Sequence, residues 1–478
     1  MSTQQPTLPS LGFRGTLRFI WNQLTSMRTA LMLLLLLAVA AVPGSLFPQR
    51  RAGADVVETW IEDNPTLGPI MDALGMFDVY SSPWFSAIYL LLMVSLVGCL
   101  WPRGRQHLKT LRQPPARTPR NLKRLPEYGQ LVLETNGPTP DEALVDAEKI
   151  LKKAGYRTQL RDGSVGAERG YTREIGNILF HFGLLGVIVF MGIGGLYKYE
   201  GQKIIVEGEG FTNNLVSYDS FTPGTAFSED RLHPFSIALE DFDVVFDRES
   251  ESHYGQALDY TAAMQVTPAP GAETYADEIK VNDPLTIDGV RIFLVGNGYA
   301  PNITVTDGNG DVAYSGPVIA QIQDPNVNSS LVVLKVPDAR PEQLGFVGLF
   351  LPTSYTGDDG VAISIDPDAY NPELILNSYY GDIGLDSGVP QNVYVLDTDT
   401  MTELNSRDND NGGITLGVGD TYELPDNMGT ITFDSWDRYI GLDLHYDPSK
   451  WGVAIFASLA LVALVISLYV RRRRAWVK

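Results

Sequence analysis

The stretch 175–197, Ile-Gly-Asn-Ile-Leu-Phe-His-Phe-Gly-Leu-Leu-Gly-Val-Ile-Val-Phe-Met-Gly-Ile-Gly-Gly-Leu-Tyr, constrains this chain most. It carries no Lys, Arg, Asp or Glu, and a helix of roughly 20 such residues spans a bilayer. One ionisable residue, His181, lies inside it. Burying an ionisable group in a membrane is costly, which makes His181 a functional-site hypothesis. The alternative is a hydrogen bond to a neighbouring helix.

Three further apolar stretches, 30–47, 84–101 and 451–470, have the same character. The first could instead be a signal peptide with Ala38-Val-Ala40 as its cleavage site, but its long basic lead and continuing apolar run favour a retained span. Residues 102–124 hold eight Lys and Arg and no acid, and Arg471-Arg-Arg-Arg474 follows the last span. Basic flanks face the cytoplasm. The sequence therefore predicts an integral membrane protein with four transmembrane helices and both termini inside. The predicted order is a cytoplasmic N-terminus (1–29), a first helix (30–47), an extracytoplasmic loop (48–83) and a second helix (84–101). A cytoplasmic basic loop with a small α/β module (102–174) and a third helix (175–197) follow. An extracytoplasmic all-β domain (198–450), a fourth helix (451–470) and a basic tail (471–478) complete it. Arg50-Arg51 fall outside and break the charge rule.

The small module reads as strand 129–134, helix 139–153 and strand 156–160. The helix opens Thr-Pro-Asp-Glu and is followed by Gly155. Short alternating runs in 198–450, separated by Gly, Asn, Asp and Pro, predict an antiparallel sandwich or open barrel. This region has 42 acidic and 11 basic residues, a balance that argues against nucleic-acid binding.

Negative findings narrow the chemistry. The single Cys99 excludes an intrachain disulfide or a CxxC motif and reads as a small buried hydrophobe. Asp307-Gly-Asn-Gly-Asp311 lacks the Gly and Glu of an EF-hand loop and reads as a hairpin turn. Asp408-Asn-Asp-Asn-Gly-Gly413 is a polar loop with calcium as its minor alternative. Gly192-Ile-Gly-Gly195 is no dinucleotide fingerprint, since it sits inside a span. The Asn302 and Asn328 sequons are short patterns that recur by chance. His107 belongs to the basic loop, His233 and His253 read as surface or satisfied groups, and His445 should lie near the outer membrane surface. No nucleophile or metalloenzyme motif appears, so the sequence predicts no catalytic residue.

At 100° per residue, Asn177, Leu184, Leu185, Ile188, Gly192 and Gly195 share the His181 face, while Gly176, Gly183, Gly186 and Gly194 lie opposite. The glycine face should pack on another span of the chain. From residue 175, His181 is about 9 Å into the helix at 1.5 Å per residue. Asn177, one turn below, either orients the imidazole or meets headgroups.

Several segments together resemble the ResB (CcsB) family of System II cytochrome c maturation. They are Val42-Pro-Gly-Ser-Leu-Phe-Pro-Gln49, Leu74-Gly-Met-Phe-Asp-Val-Tyr-Ser-Ser-Pro-Trp-Phe85 with Cys99 and Arg103 beyond it, and His181-Phe-Gly. Asp241-Phe-Asp-Val, Asn282-Asp-Pro-Leu, Gly298-Tyr-Ala-Pro and the Asp447-Pro and Arg473–Trp476 tail complete the match. The resemblance implies the non-enzymatic half of a complex that conveys haem b across the membrane to apocytochrome c. It implies a ResC (CcsA)-type partner with a WWD segment and a thioredoxin-like reductant. It places an axial haem-iron ligand at His181; separately, the place of His445 six residues before the fourth span makes it a second candidate ligand, and Asn177, one turn below His181, a candidate to orient the imidazole. This chain has only Ser435-Trp-Asp437, so haem presentation would rest with the partner. The alternative is a membrane-anchored β domain that binds an extracytoplasmic protein or envelope polymer without haem.

Overall fold

The computed structural model describes residues 12–50, 53–132, 138–161, 163–250, 252–358, 360–385, 392, 394–407, 409 and 411–478. The chain divides into two compact units, Met1–Gly195 with Ser449–Lys478, and Leu196–Pro448.

The first unit is helical. Its helices are α1 (Phe13–Leu24), α2 (Met27–Leu46), α3 (Ala54–Asp63), α4 (Gly68–Ala73), α5 (Pro83–Arg112), α6 (Pro140–Lys153), α7 (Thr172–Tyr197) and α8 (Lys450–Tyr469). Four of these, α2, α5 over Pro83–Gln106, α7 and α8, are long and apolar enough to cross a membrane. Each begins or ends within a few residues of the sequence expectation. The basic lead differs: it holds a separate helix, α1, with Phe13, Leu17, Ile20 and Trp21 exposed. The chain breaks at Thr25-Ser26, where Ser26 caps α2 by accepting from the Thr29 amide at 3.2 Å. This junction seats on α5. The Ser95 hydroxyl donates to the Leu24 carbonyl at 2.6 Å and the Cys99 thiol to the Thr25 carbonyl at 2.7 Å. Cys99 is buried, as its apolar surroundings suggest. Meanwhile α5 runs on through Pro102, which removes one rung of its hydrogen-bond ladder.

The small α/β module differs from its sequence reading. Residues 129–132 are not strand, and 133–134 lie outside the described residues. Helix α6 forms as expected, with Thr139 and Glu142 completing a capping box. Strand Arg157–Arg161 turns back into a strand the periodicity did not reveal, Ser164–Arg169. The third strand, Arg473–Val477, comes from the C-terminal tail and pairs antiparallel with Ser164–Arg169. Because one partner precedes α7 and the other follows α8, the foot of α7 and the end of α8 lie side by side.

The second unit is built of antiparallel sheets around two 18-residue neighbours, Val290–Asp307 and Gly429–Tyr446. At about 3.4 Å per residue each spans roughly 60 Å, long enough to serve two cores. One half of their sheet, with Ile292, Leu442 and Leu444, packs with Ile237, Leu239, Ala262, Met264 and Ile279 of a four-stranded sheet. The other half, with Ile303, Val305, Ile431 and Phe433, packs with Val332, Leu334, Phe346, Leu374 and Leu376 of a six-stranded sheet. The expected sandwich is thus two sandwiches sharing long strands. Bulges at Leu294/Gly296 and Asn302/Ile303 mark where the shared pair shifts register. Arg248 is clamped bidentately by Asp366 at 2.6 and 3.0 Å, and Arg438 reaches Asp368 at 2.8 Å. The Asp307 loop is a hairpin joining Val290–Asp307 to Val312–Pro317. Its Asp307 carboxylate accepts from the amides of Asn309, Asp311 and Arg340.

Candidate functional site

The site is built on α7. Its glycine face forms a seam with α8: Gly176, Gly183, Gly186 and Gly194 are buried. A methyl group built on Gly183 would lie 2.8 Å from the Ala460 side chain and 2.9 Å from the Ala460 backbone nitrogen. One on Gly176 would lie 2.8 Å from the Ala463 carbonyl. Glycine supplies this closeness because it has no side chain to hold the backbones apart. Across the seam, Phe190 and Phe456 rings pack at 5.5 Å.

His181 lies on the other side of α7 and is half-buried, its ring 5.2 Å from that of Phe180. Asn177 and Leu184 flank it in exposed positions. The face is not uniform along its length. Towards its C-terminal end the Tyr89 hydroxyl of α5 donates to the Ile188 carbonyl and stands beside Gly192. The Asn177–Leu184 segment is therefore the open part, and Tyr89 bounds it. Tyr89 has no sequence signature, because its role depends on which helix neighbours α7. The structure starts α7 at Thr172, so His181 stands nine residues, about 13 Å, along the helix rather than 9 Å.

His445 sits in the β unit, on Gly429–Tyr446 beside Arg291 and Glu200 of the adjacent strands. Its Nε2 is 2.8 Å from Asp443 Oδ2 and its ring meets Phe293 edge-on at 5.5 Å. The hydrogen bond to Asp443 raises the His445 pKa above its ordinary value, against the opposing effect of burial. The raised pKa means that this pairing stabilises the fold fully below about pH 6.5. The contribution fades as pH rises through the folded value. Since the imidazole is 38% exposed, solvent screening holds the effect below about 1 kcal/mol. The stability difference between wild type and His445→Asn, measured by thermal unfolding in detergent, should shrink from pH 6 to pH 8. A difference that stays constant across this range would remove the pairing as its cause.

His233 and His253 are engaged locally, and the His107 side chain lies outside the described residues. His233 Nδ1 is 2.7 Å from Asp288 Oδ2, and His253 Nδ1 is 2.8 Å from the Ser252 hydroxyl. No group of three potential metal-ligating side chains comes together among the described residues.

Two constellations escape sequence reasoning. Gln49, at the end of the Pro-Gln motif, donates to the Met76 carbonyl at 3.0 Å and accepts from the Val79 amide at 3.1 Å. Beside it Arg50 pairs with Asp72 at 2.7 Å and Asp78 at 2.8 Å. Arg50, one of the two arginines that the charge rule does not fit, is thus paired within its own loop, and Arg51 lies outside the described residues. The second constellation lies at the foot of α7. Glu168, 3% exposed, accepts from the Tyr171 hydroxyl at 2.7 Å, from Arg474 Nε at 3.0 Å and from Arg472 Nε. Arg472 also reaches Glu174, in the first turn of α7.

Comparison with known proteins agrees with this architecture. A family model described as the ResB-like family matches residues 27–478. The chain is 23% identical over 522 residues to the cytochrome c biogenesis protein ResB of Bacillus subtilis, covering 99% of this chain and 86% of that protein. It is 29% identical over 283 residues to the cytochrome c biogenesis protein CcsB of Synechococcus sp. WH7803, covering 58% of this chain and 60% of the relative. A Prochlorococcus marinus CcsB is 26% identical over 279 residues, with 57% of this chain and 60% of the relative covered. Against these cyanobacterial relatives the match spans about three fifths of their length. The chain belongs to the ResB-like family.

Proposed function

We propose that this chain acts in cytochrome c biogenesis as a membrane-embedded, non-catalytic subunit of a complex that conveys haem to apocytochrome c. The observation that carries this reading is a half-buried His181 on the mainly apolar face of α7 that points away from the glycine seam with α8. Neutral imidazole is a haem-iron ligand, and a low-dielectric span disfavours the imidazolium that could not ligate. Leu184, exposed in the segment that Tyr89 bounds, suits the apolar porphyrin edge, and Asn177 is one turn away to orient the imidazole. A ResC (CcsA)-type membrane partner supplies the rest of the haem site, and a thioredoxin-like protein supplies reducing equivalents. The basic flanks put both termini and the α/β module in the cytoplasm and the β unit outside.

In the purified complex with its partner, His181→Ala should lose the low-spin haem spectrum, and added imidazole should restore it. An unchanged spectrum in His181→Ala overturns the ligand assignment.

A further inference from the structure

The arginines of Arg471-Arg-Arg-Arg474 do not all do the same work. A strand sends alternate side chains to opposite faces. In the strand Arg473–Val477 that alternation separates Arg473 from Arg474, and Arg474, with Arg472 of the preceding connection, turns to Glu168. Arg471 and Arg473 instead line a cavity of about 380 Å³ together with Arg169, Gly170, Thr172, Tyr469 and Val470. No acidic residue is among its lining residues. Arg471 and Arg473 have no acidic partner among the described residues, and Arg169 is held only by the Ala154 carbonyl at 3.0 Å and the face of Tyr156.

The register sharpens the point. Glu168 stands directly opposite Arg474, a favourable pairing, whereas Arg169 stands directly opposite Arg473. Like charges at opposed positions of an antiparallel pair are destabilising. The arrangement makes sense if an anion bridges the two guanidiniums. The cavity also opens at the first turn of the 26-residue helix α7, whose N-terminal amides favour negative charge. Gly170, with φ +91° and its α-carbon against the Arg471 backbone, lets the strand turn into the helix without filling the space. The cavity is bounded by the last residue of one apolar helix and the first of another, so it opens at the level where lipid headgroups lie.

We propose that this cavity is a binding site for a phosphate-type oxyanion, supplied by the headgroup of an anionic phospholipid and held by Arg169, Arg471 and Arg473. The lipid fastens the α7–α8 foot and neutralises the opposed guanidiniums.

The test uses the full chain in detergent, delipidated and then given phosphatidylglycerol, phosphatidylcholine or inorganic phosphate, with bound lipid counted by native mass spectrometry. Wild type should retain one phosphatidylglycerol and no phosphatidylcholine. Arg471→Gln/Arg473→Gln should lower that retention at least tenfold. Arg117→Gln/Arg120→Gln, which removes the same charge from the basic loop, should leave it unchanged. Thermal stabilisation by phosphatidylglycerol should vanish with the first pair only, provided far-UV circular dichroism shows that both fold. Stabilisation by inorganic phosphate without lipid retention would keep the oxyanion site and overturn the lipid as its source. Equal loss in both variant pairs, or loss in neither, overturns the site.

Discussion

Gly183→Leu is expected to separate α7 from α8 and to destabilise the helical unit. The methyl group of even an alanine at this position would lie 2.8–2.9 Å from the Ala460 side chain, α-carbon and nitrogen. Three of these atoms belong to one residue and two of them to backbone, so no side-chain rotation relieves the clash. Overpacking of this kind costs about 1–3 kcal/mol, and Leu adds three more carbons to the same gap. Gly195→Ala in the same helix serves as the control, because nothing lies within 4 Å of its added methyl. It should change stability by less than about 0.5 kcal/mol. Thermal unfolding and size-exclusion profiles in detergent should separate the two variants clearly. The seam also orients the His181 face. Gly183→Leu should therefore weaken haem retention in the complex with the partner, whereas Gly195→Ala should not. Equal stability of the two variants would show that the seam does not hold the helices.

What could be read from the sequence, and what could not, follows from the range of each signal. The four apolar helices depend on local composition and length, and the structure returns them within a few residues. The glycine seam depends only on helical period, so the buried set Gly176, Gly183, Gly186 and Gly194 was visible in advance. The partner of the seam was not, because nothing in residues 175–197 specifies α8 over α2 or α5. The same holds for Tyr89, an ordinary aromatic of a span until α5 brings it to Ile188. Helix α1 escaped because its apolar residues are interrupted by Arg14 and Arg18 and fall short of a span. The β unit was legible as alternation and turn residues. Its division into two cores was not, since it depends on two strands far apart in sequence pairing over their full length.

The C-terminal tail gives the clearest case of a non-local assignment and the second large effect. Read alone, Arg471-Arg-Arg-Arg474 is a membrane anchor; in the structure its last two residues open the edge strand Arg473–Val477 of a sheet whose other members lie about 300 residues earlier. Glu168 is the residue that fixes it there. Its carboxylate is buried and receives Tyr171, Arg472 and Arg474. Removing one member of a buried ion pair typically costs about 3–5 kcal/mol, because the remaining charges are left desolvated. Here Arg472 keeps Glu174 as its remaining acceptor, and Arg474, 44% exposed, recovers part of its hydration. Glu168→Ala should therefore fall at the lower end of that range, and Glu168→Gln, which keeps the shape and one acceptor oxygen, should cost less. Burial pushes the Glu168 pKa up, but Arg472, Tyr171 and Arg474 outweigh it and hold the carboxyl below its ordinary value. A depressed carboxyl contributes its full stabilisation above its unfolded pKa, about 4.3, and loses it as pH falls through the lower folded value. Limited trypsinolysis reads the outcome directly. The Arg471–Arg474 run should resist cleavage in wild type at neutral pH and be cut rapidly in Glu168→Ala. After a brief acid pulse, hydrogen exchange of residues 473–477 should rise in wild type while Glu168→Ala, already open, should show little further change. A tail equally protected in both proteins would mean that backbone pairing alone holds the strand, and that Glu168 does not fasten the foot of α7 to the end of α8.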